Sequence, residues 1–391
     1  MKIVIFNAFF FNAFFVFLAL ICTLPLNARS ADTSRPHAFK LEGDVEFTHD
    51  PSIIKDRDTW YVFSTANGPD RNGELPIRCS KDLKEWKHCG YVFDSIPDWI
   101  KKESPNTREL WAPDISYFDG RFHLYYAFSV FGKNTSGIAL LTNKTLNPAS
   151  PDFHWEDQGL VLESHAEDDF NAIDPNLSID AEGHTWLAFG SFWSGIKMRR
   201  IDRKTGKLST EDTKLYSLAS RKRPGNPPPN PPGLPGNWQA IEAPFLIHHD
   251  GYYYLFVSFD LCCRGTKSTY KTMVGRSRNI TGPYVDENGV PMLQGGGTAL
   301  LVGNDRWVGP GGESVLQSKH GDIIVFHAYD GKTGRAFLQI SSIACNKGWP
   351  HAALEGTRSQ KISSRRLHFS SACPGAVSSP GLNSFITCCC F

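Results

Sequence analysis

HDPSIIKDRDTWYVFS, residues 49–64, opens a phrase that returns four more times. It reads APDISYFDGRFHLYYAF at 112–128, DPNLSIDAEGHTWLAFG at 174–190, EAPFLIHHDGYYYLFVS at 242–258 and ESVLQSKHGDIIVFHAY at 313–329. Each copy holds a proline slot, a few apolar residues, a polar turn and an aromatic-rich segment. Pro51, Pro113, Pro175 and Pro244 stand 62, 62 and 69 residues apart, and Ser314 takes the slot 70 residues further on. Each phrase encodes two short antiparallel strands joined by a turn, and one such hairpin cannot bury both of its faces. Stacking sheets radially about an axis buries them against one another. A β-sandwich would also have short strands, but nothing in it calls for five copies of one turn spacing. The expected fold is all-β, a five-bladed β-propeller.

Composition agrees with one large β domain. Aromatic residues make up 13% of 391, with 34 glycines and 25 prolines, which suits many strands separated by turns. Lys and Arg number 41 against 40 Asp and Glu, so a net charge of +1 points away from nucleic acid as a partner. Residues 1–31 have the layout of a secretory signal peptide: Lys2, a long apolar run, then small residues near Ala28 to Ala31. The apolar run approaches membrane-spanning length, which leaves a signal anchor as the other reading. Cleavage is the expectation, giving a secreted, extracellular protein with no stable membrane association that acts as a monomer. Residues 32–350 are then the propeller and 351–391 an irregular, disordered tail rich in Ser and Arg that ends in ITCCCF. Asn134, Asn143 and Asn279 lie in N-x-[ST] triplets and are candidate glycosylation sites.

Export also permits disulfides. Cys79 and Cys89 flank a turn-like stretch and are placed to bridge two strands of the first blade. Cys262 and Cys263 are adjacent, leaving a vicinal disulfide, two thiols or two separate partners open, and no paired CxxC marks a metal site. The stretch from Ser220 to Asn237 holds seven prolines and reads as an exposed insert between the third and fourth blades.

The chemistry gathers at the proline slot. Innermost strands of successive blades line the axis, so Asp50, Ala112, Asp174, Ala243 with Glu242 before it, and Glu313 converge on one funnel. Carboxyl groups crowded together are driven to different pKa values, which leaves one protonated while another is ionised. Hydrolysis of a glycosidic bond requires that division. An Asp before Pro by itself only caps a turn; two at one slot with Glu242 nearby point to catalysis. Trp111, Phe131, Phe192, Trp193 and Trp238 flank the repeated strands, where flat rings can hold sugar faces.

HDPSII, WAPDISYFDGRFHLYYAFSVFG, NAIDPNL, GSFWSGI, QAIEAPFL and STYKTMVGRS together resemble the endo-1,5-α-L-arabinanases of glycoside hydrolase family 43, over about residues 49–350. The resemblance implies a five-bladed propeller that cuts the arabinan side chains of pectin with inversion at the anomeric carbon. It implies Asp50 as general base, Glu242 as general acid, and Asp174 as the carboxylate that orients the acid and tunes its pKa. Repeat symmetry alone nominates Glu313 above Glu242. Substrate contacts implied in the same way are Asp50, Gly132, Asn171, Ala172, Ile173, Asp174, Ser191, Phe192 and Trp193. His327 corresponds to a histidine that helps hold a structural Ca2+ at the axis, with water completing its shell; no organic cofactor is implied. Base and acid in an inverting enzyme stand roughly 6.5 to 9.5 Å apart, leaving room for water. Cys345 stands where a tryptophan is expected in the closing phrase.

Two other readings stay open. One is another glycosidase of this fold: an exo-acting arabinanase, an α-L-arabinofuranosidase or a β-xylosidase. The other is a non-catalytic sugar-binding propeller, against which the presence of all three carboxylates argues.

Overall fold

The computed structural model describes residues 35–66, 68, 72–221 and 240–356. The segment expected to be a signal peptide, most of the tail, the proline-rich insert and Trp238 lie outside the described residues. Five sheets follow one another along the chain, antiparallel except for the short strand Glu42–Gly43 that pairs in parallel at the rim of the first, and each repeated phrase supplies the first two strands of one. The first strands are Thr48–Asp56, Leu110–Phe118, Asn176–Ile179, Ile241–His249 and Trp307–Leu316. Their partners are Thr59–Ala66, Arg121–Phe128, Thr185–Phe189, Tyr252–Phe259 and Ile323–Asp330. Blades one to four each add two more antiparallel strands, while blade five adds Ala336–Ser342 alone. Its outer edge is covered from the other end of the chain: Ser342 N–H bonds to His37 O at 3.0 Å, and Leu338 N–H to Val45 O at 2.8 Å. Those bonds close the ring and leave blade five no bare edge there. No helix among the described residues is long and apolar enough to cross a membrane.

Five hydrophobic clusters fill the five gaps between neighbouring blades. Side chains alternate along a strand, so Phe63 faces blade two while Val62 faces blade five, and Tyr126 faces blade one while Tyr125 faces blade three. Both faces are buried, which is why segments such as YYYLFVS carry no polar alternation. Each fully buried Phe or Leu contributes about 1.5–3 kcal/mol.

A second set of bonds ties the blades at the axis. Ser314 Oγ accepts from Ile53 N–H at 3.2 Å, Ser52 Oγ from Ile115 N–H at 3.1 Å, Asp114 Oδ2 from Leu177 N–H at 2.8 Å and Asn176 Oδ1 from Leu246 N–H at 2.9 Å. The fourth blade has Phe245 at this position, which offers no acceptor, so this link between blades four and five is missing.

The ladder corrects the repeat register in blade five. His49, Trp111, Glu242 and Gly311 pair with Thr65, Ala127, Ser258 and His327, and each pair is followed by a bulge. Asp50, Ala112, Asp174 and Ala243 take φ of 48°, 43°, 55° and 52°, and the residue doing so in blade five is Gly312 at 59°. Glu313 therefore occupies the proline slot, one residue later than the repeat spelling placed it. Ser314 matches Ser52, Asp114 and Asn176. The missing proline hid that shift.

Cys79 and Cys89 form a disulfide between two strands of blade one. The fold also runs past Pro350: the hairpin Ala344–Asn346 with Trp349–His351 follows blade five, Leu354 is buried, and Trp307 Nε1–H donates to Glu355 Oε2 at 3.2 Å. Cys345 is exposed on that hairpin. Two glycosylation candidates do not hold. Asn134 is buried with its amide donating to His165 O, Asp168 O and Phe170 O, and Asn143 is fully buried, its Oδ1 accepting from His154 N–H. Asn279 alone of the three is exposed.

Candidate active site

Asp50 and Asp174 leave the sheet where the backbone kinks before the proline. Left-handed backbone at a residue other than glycine costs about 1–3 kcal/mol, and here it turns side chains out of the ladder into a common space at the axis. That cavity is lined by Asp50, Ala112, Asp174, Ala243, Gly312 and Glu313 at the kinks and by Asp114 below. Glu242 precedes the kink of blade four, on a ladder position opposite Ser258.

Asp174 and Glu242 are joined through neighbours. Ala243 N–H donates to Asp174 Oδ2 at 3.1 Å, and Ser191 Oγ–H donates to Glu242 Oε2 at 2.7 Å. Burial pushes Glu242 up to about 7 from an ordinary 4.5, while the Ser191 and Tyr270 hydroxyls pull it the other way. Asp174 is held well above the usual carboxyl range, first by burial and then by the charges of Glu242 and Asp50. Asp50 is raised by burial, offset in part by His49 and by the Thr65 hydroxyl, which donates to Oδ2 at 2.8 Å. Three carboxyl groups that repel one another thus sit in one desolvated site.

The other expected contacts divide into two groups. Ser191 is buried against Glu242, and Phe192 and Trp193, half-buried, form the turn that follows with φ of 56° and 36°. Gly132 takes φ 78° in the loop beside Phe131, which is 76% exposed. Asn171, Ala172 and Ile173 are buried. Asn171 Oδ1 accepts from Ser136 Oγ–H at 2.7 Å, Ala172 N–H donates to Ser164 Oγ at 2.9 Å, and Ile173 O accepts from Gly190 N–H at 2.8 Å. These three residues can act on a ligand through the position they give Asp174. Tyr270 and Thr65, which contact Glu242 and Asp50, had no mark in the repeat because Thr65 stands near the end of a second strand, beyond the repeated phrase, and Tyr270 stands just before a third.

His327 is completely buried, and burial followed by the neighbouring His49 holds its pKa well below the ordinary value. The neutral ring accepts Asp50 N–H at Nδ1, 3.3 Å away, so Nε2 carries the hydrogen. A Cβ on Gly312 would lie 2.6 Å from Asp50 Oδ1 and 2.9 Å from His327 Nδ1, so glycine keeps a space open between them. Calcium bound by His327 would need a ring lone pair, either the one Nδ1 now gives to Asp50 N–H or the one Nε2 gains on losing its hydrogen, and Asp50 Oδ1 stands 3.8 Å from Nδ1.

Glu313 has a different environment from Glu242. It is buried, accepts from Ser258 Oγ–H at 2.7 Å and Thr272 Oγ1–H at 3.2 Å, and burial pushes it up to about 8. Asp114 is pushed by burial to about 6. A carboxyl with a raised folded pKa contributes stability that is complete below its unfolded value and is lost as pH rises through the folded one. The melting temperature is therefore expected to fall between about pH 4.5 and 8, and Glu313→Gln to flatten that fall while keeping hydrolysis within about threefold of the parent. Calorimetry over this range, with parallel assays, checks both; a variant as inactive as Glu242→Ala would make Glu313 the acid.

Residues 45–350 match the model of glycosyl hydrolases family 43. The chain is 43% identical over 307 residues to the extracellular endo-α-(1→5)-L-arabinanase 1 of Bacillus subtilis, covering 78% of this chain and 87% of the relative. It is also 43% identical over 308 residues to the extracellular exo-α-(1→5)-L-arabinofuranosidase ArbA of Cellvibrio japonicus, with coverage of 77% and 85%. Among solved structures, the family 43 endo-arabinanase of Bacillus licheniformis superposes with a TM-score of 0.70 at 46% identity, covering 80% of this chain and 99% of that one. With the blades, their closure and the carboxyl groups in hand, this chain belongs to glycosyl hydrolases family 43.

Proposed function

We propose that this protein is a secreted, monomeric endo-hydrolase of 1,5-α-L-arabinofuranosidic linkages in arabinan, working by a single inverting displacement. The observation that carries the chemistry is the pairing of Glu242, held near pH 7 by burial, with Asp50, whose Oδ2 receives the Thr65 hydroxyl. Glu242 keeps its proton long enough to give it to the leaving oxygen. Asp50, ionised, takes a proton from the water that attacks the anomeric carbon from the opposite face. Asp174, whose carboxyl Ala243 N–H holds in place, sets its charge against that of Glu242 and so tunes the acid. Phe192, Trp193 and the exposed Phe131 offer flat faces for pentose rings. A calcium ion on His327, its shell completed by water, would supply positive charge beside Asp50 and favour the ionised base.

Relatives of equal identity carry endo and exo names, so product size is the deciding experiment. Linear 1,5-α-arabinan should yield a mixture of oligomers from the first minutes, seen by chromatography. One short product from the outset would assign exo action instead. Activity should fall as pH rises through about 7, where Glu242 loses its proton. Removing the Ser191 hydroxyl takes away a bond that favours the ionised form, so Ser191→Ala should move this alkaline limb to higher pH. A limb that stays in place or moves down in kcat/KM profiles would separate Ser191 from the acid.

A further inference from the structure

Beside the carboxyl funnel, His49, Cys262 and Cys263 bring three potential ligand atoms within 4.8 Å of one another. We propose that these side chains form a binding site for a soft, thiophilic cation of the zinc, cadmium or copper(I) class, separate from the oxygen-lined axis. Thiolate and imidazole donors select such ions, whereas calcium takes oxygen ligands.

The surroundings are built for ligands rather than for loose thiols. His49 is only 8% exposed, its buried Nε2 has no hydrogen bond of ordinary geometry, and its ring interacts with the Cys263 thiol. A buried polar atom without a well-formed bond destabilises the fold, and a bound cation removes that cost. The ring is fixed by stacking on His327, with centroids 4.5 Å apart, and by an edge contact with Tyr329. Cys262 Sγ lies 3.3 Å from the Tyr329 hydroxyl and 3.7 Å from His327 Nε2, the nitrogen that carries hydrogen. Cys263 N–H donates to the same Tyr329 oxygen at 2.9 Å. Donors of this kind orient metal-bound thiolates and moderate their charge. The two sulfurs are 2.7 Å apart and spread to about 3.8 Å across a tetrahedral ion with ordinary metal–sulfur bonds. Cys263 is exposed, which gives the ion a path from solvent and leaves a coordination position for water.

Binding exchanges the two thiol protons for the cation and so is favoured by rising pH. It also couples the site to catalysis, because His49 immediately precedes Asp50 on the kinked strand. A cation bonded to His49 restrains that strand and with it the placing of Asp50, so loading slows hydrolysis.

The test uses the full chain, reduced and desalted without air, titrated with cadmium. Bound metal is measured by elemental analysis and the thiolate-to-cadmium charge-transfer band in the ultraviolet. Cys22, Cys373 and Cys388 to Cys390 are further thiols in the full chain, so the quantity read is the difference between the full chain and its variants. Cys263→Ser, a surface change, should lose one equivalent of tight binding and its share of the band. His49→Gln should weaken that same equivalent at least tenfold, whereas Cys345→Ser keeps it. Cadmium should slow arabinan hydrolysis by the parent and leave Cys263→Ser unaffected. Equal stoichiometry and affinity in the parent and Cys263→Ser would overturn the site, as would a Cys262–Cys263 disulfide that persists after reduction. Unchanged affinity in a folded His49→Gln would remove the histidine from it.

Discussion

Glu242→Ala should lower kcat on linear arabinan by about 10³-fold, within the 10² to 10⁴ that a positioned acid is worth, or about 4 kcal/mol of barrier. The carboxyl is half-buried and touches chiefly the Ser191 and Tyr270 hydroxyls, so its removal leaves the inter-blade clusters untouched and the melting temperature close to that of the parent. The loss should depend on the leaving group. An aryl arabinofuranoside whose phenolate departs without a proton should lose far less than arabinan does. A variant equally poor on both would show that Glu242 has some role other than proton donation.

Asp50→Ala is expected to be just as damaging on arabinan, for the opposite reason and with the opposite substrate dependence. The fold itself supplies the control: alanine already stands at this kink in blades two and four, with φ of 43° and 52° against 48° for Asp50. Alanine is therefore accommodated there, and a lost rate reports lost chemistry. Without the base, water is a poor nucleophile and no improvement of the leaving group compensates. A small anion such as azide, which needs no deprotonation, should restore turnover of an activated substrate in Asp50→Ala and leave Glu242→Ala on arabinan unrescued. Rescue of Glu242→Ala in place of Asp50→Ala, with both folded, would mean that the two roles have been assigned to the wrong carboxyl groups.

The same kink explains what the sequence could and could not disclose. Five blades were legible because a proline after a left-handed residue, followed by a turn at fixed distance, is a spelling that survives large changes elsewhere. Blade five breaks the spelling: Gly312 takes the left-handed position and Glu313 stands where proline is expected, so Glu313 looked equivalent to Asp50 and Asp174. Its side chain instead turns into blade four and bonds Ser258 and Thr272. Glu242 stands on a ladder position that carries His49, Trp111 and Gly311 in other blades, so no repeat could have marked it. Family likeness singled it out. Ser191 comes from the turn after a second strand and Tyr270 from just before a third, and only folding brings them to Glu242. Asn134 and Asn143 failed as glycosylation sites for a related reason, since a three-residue motif says nothing about burial.

Proton NMR of the first turnovers on linear 1,5-α-arabinan tests the central claim most directly, because it reports hydrolysis and stereochemistry together. An acid at Glu242 and a water-activating base at Asp50 predict that new reducing ends appear first as the β-anomer and only later equilibrate. α-Anomer in the earliest spectra would require a covalent intermediate and contradict the single displacement; no new reducing ends from a folded protein would contradict the hydrolase itself.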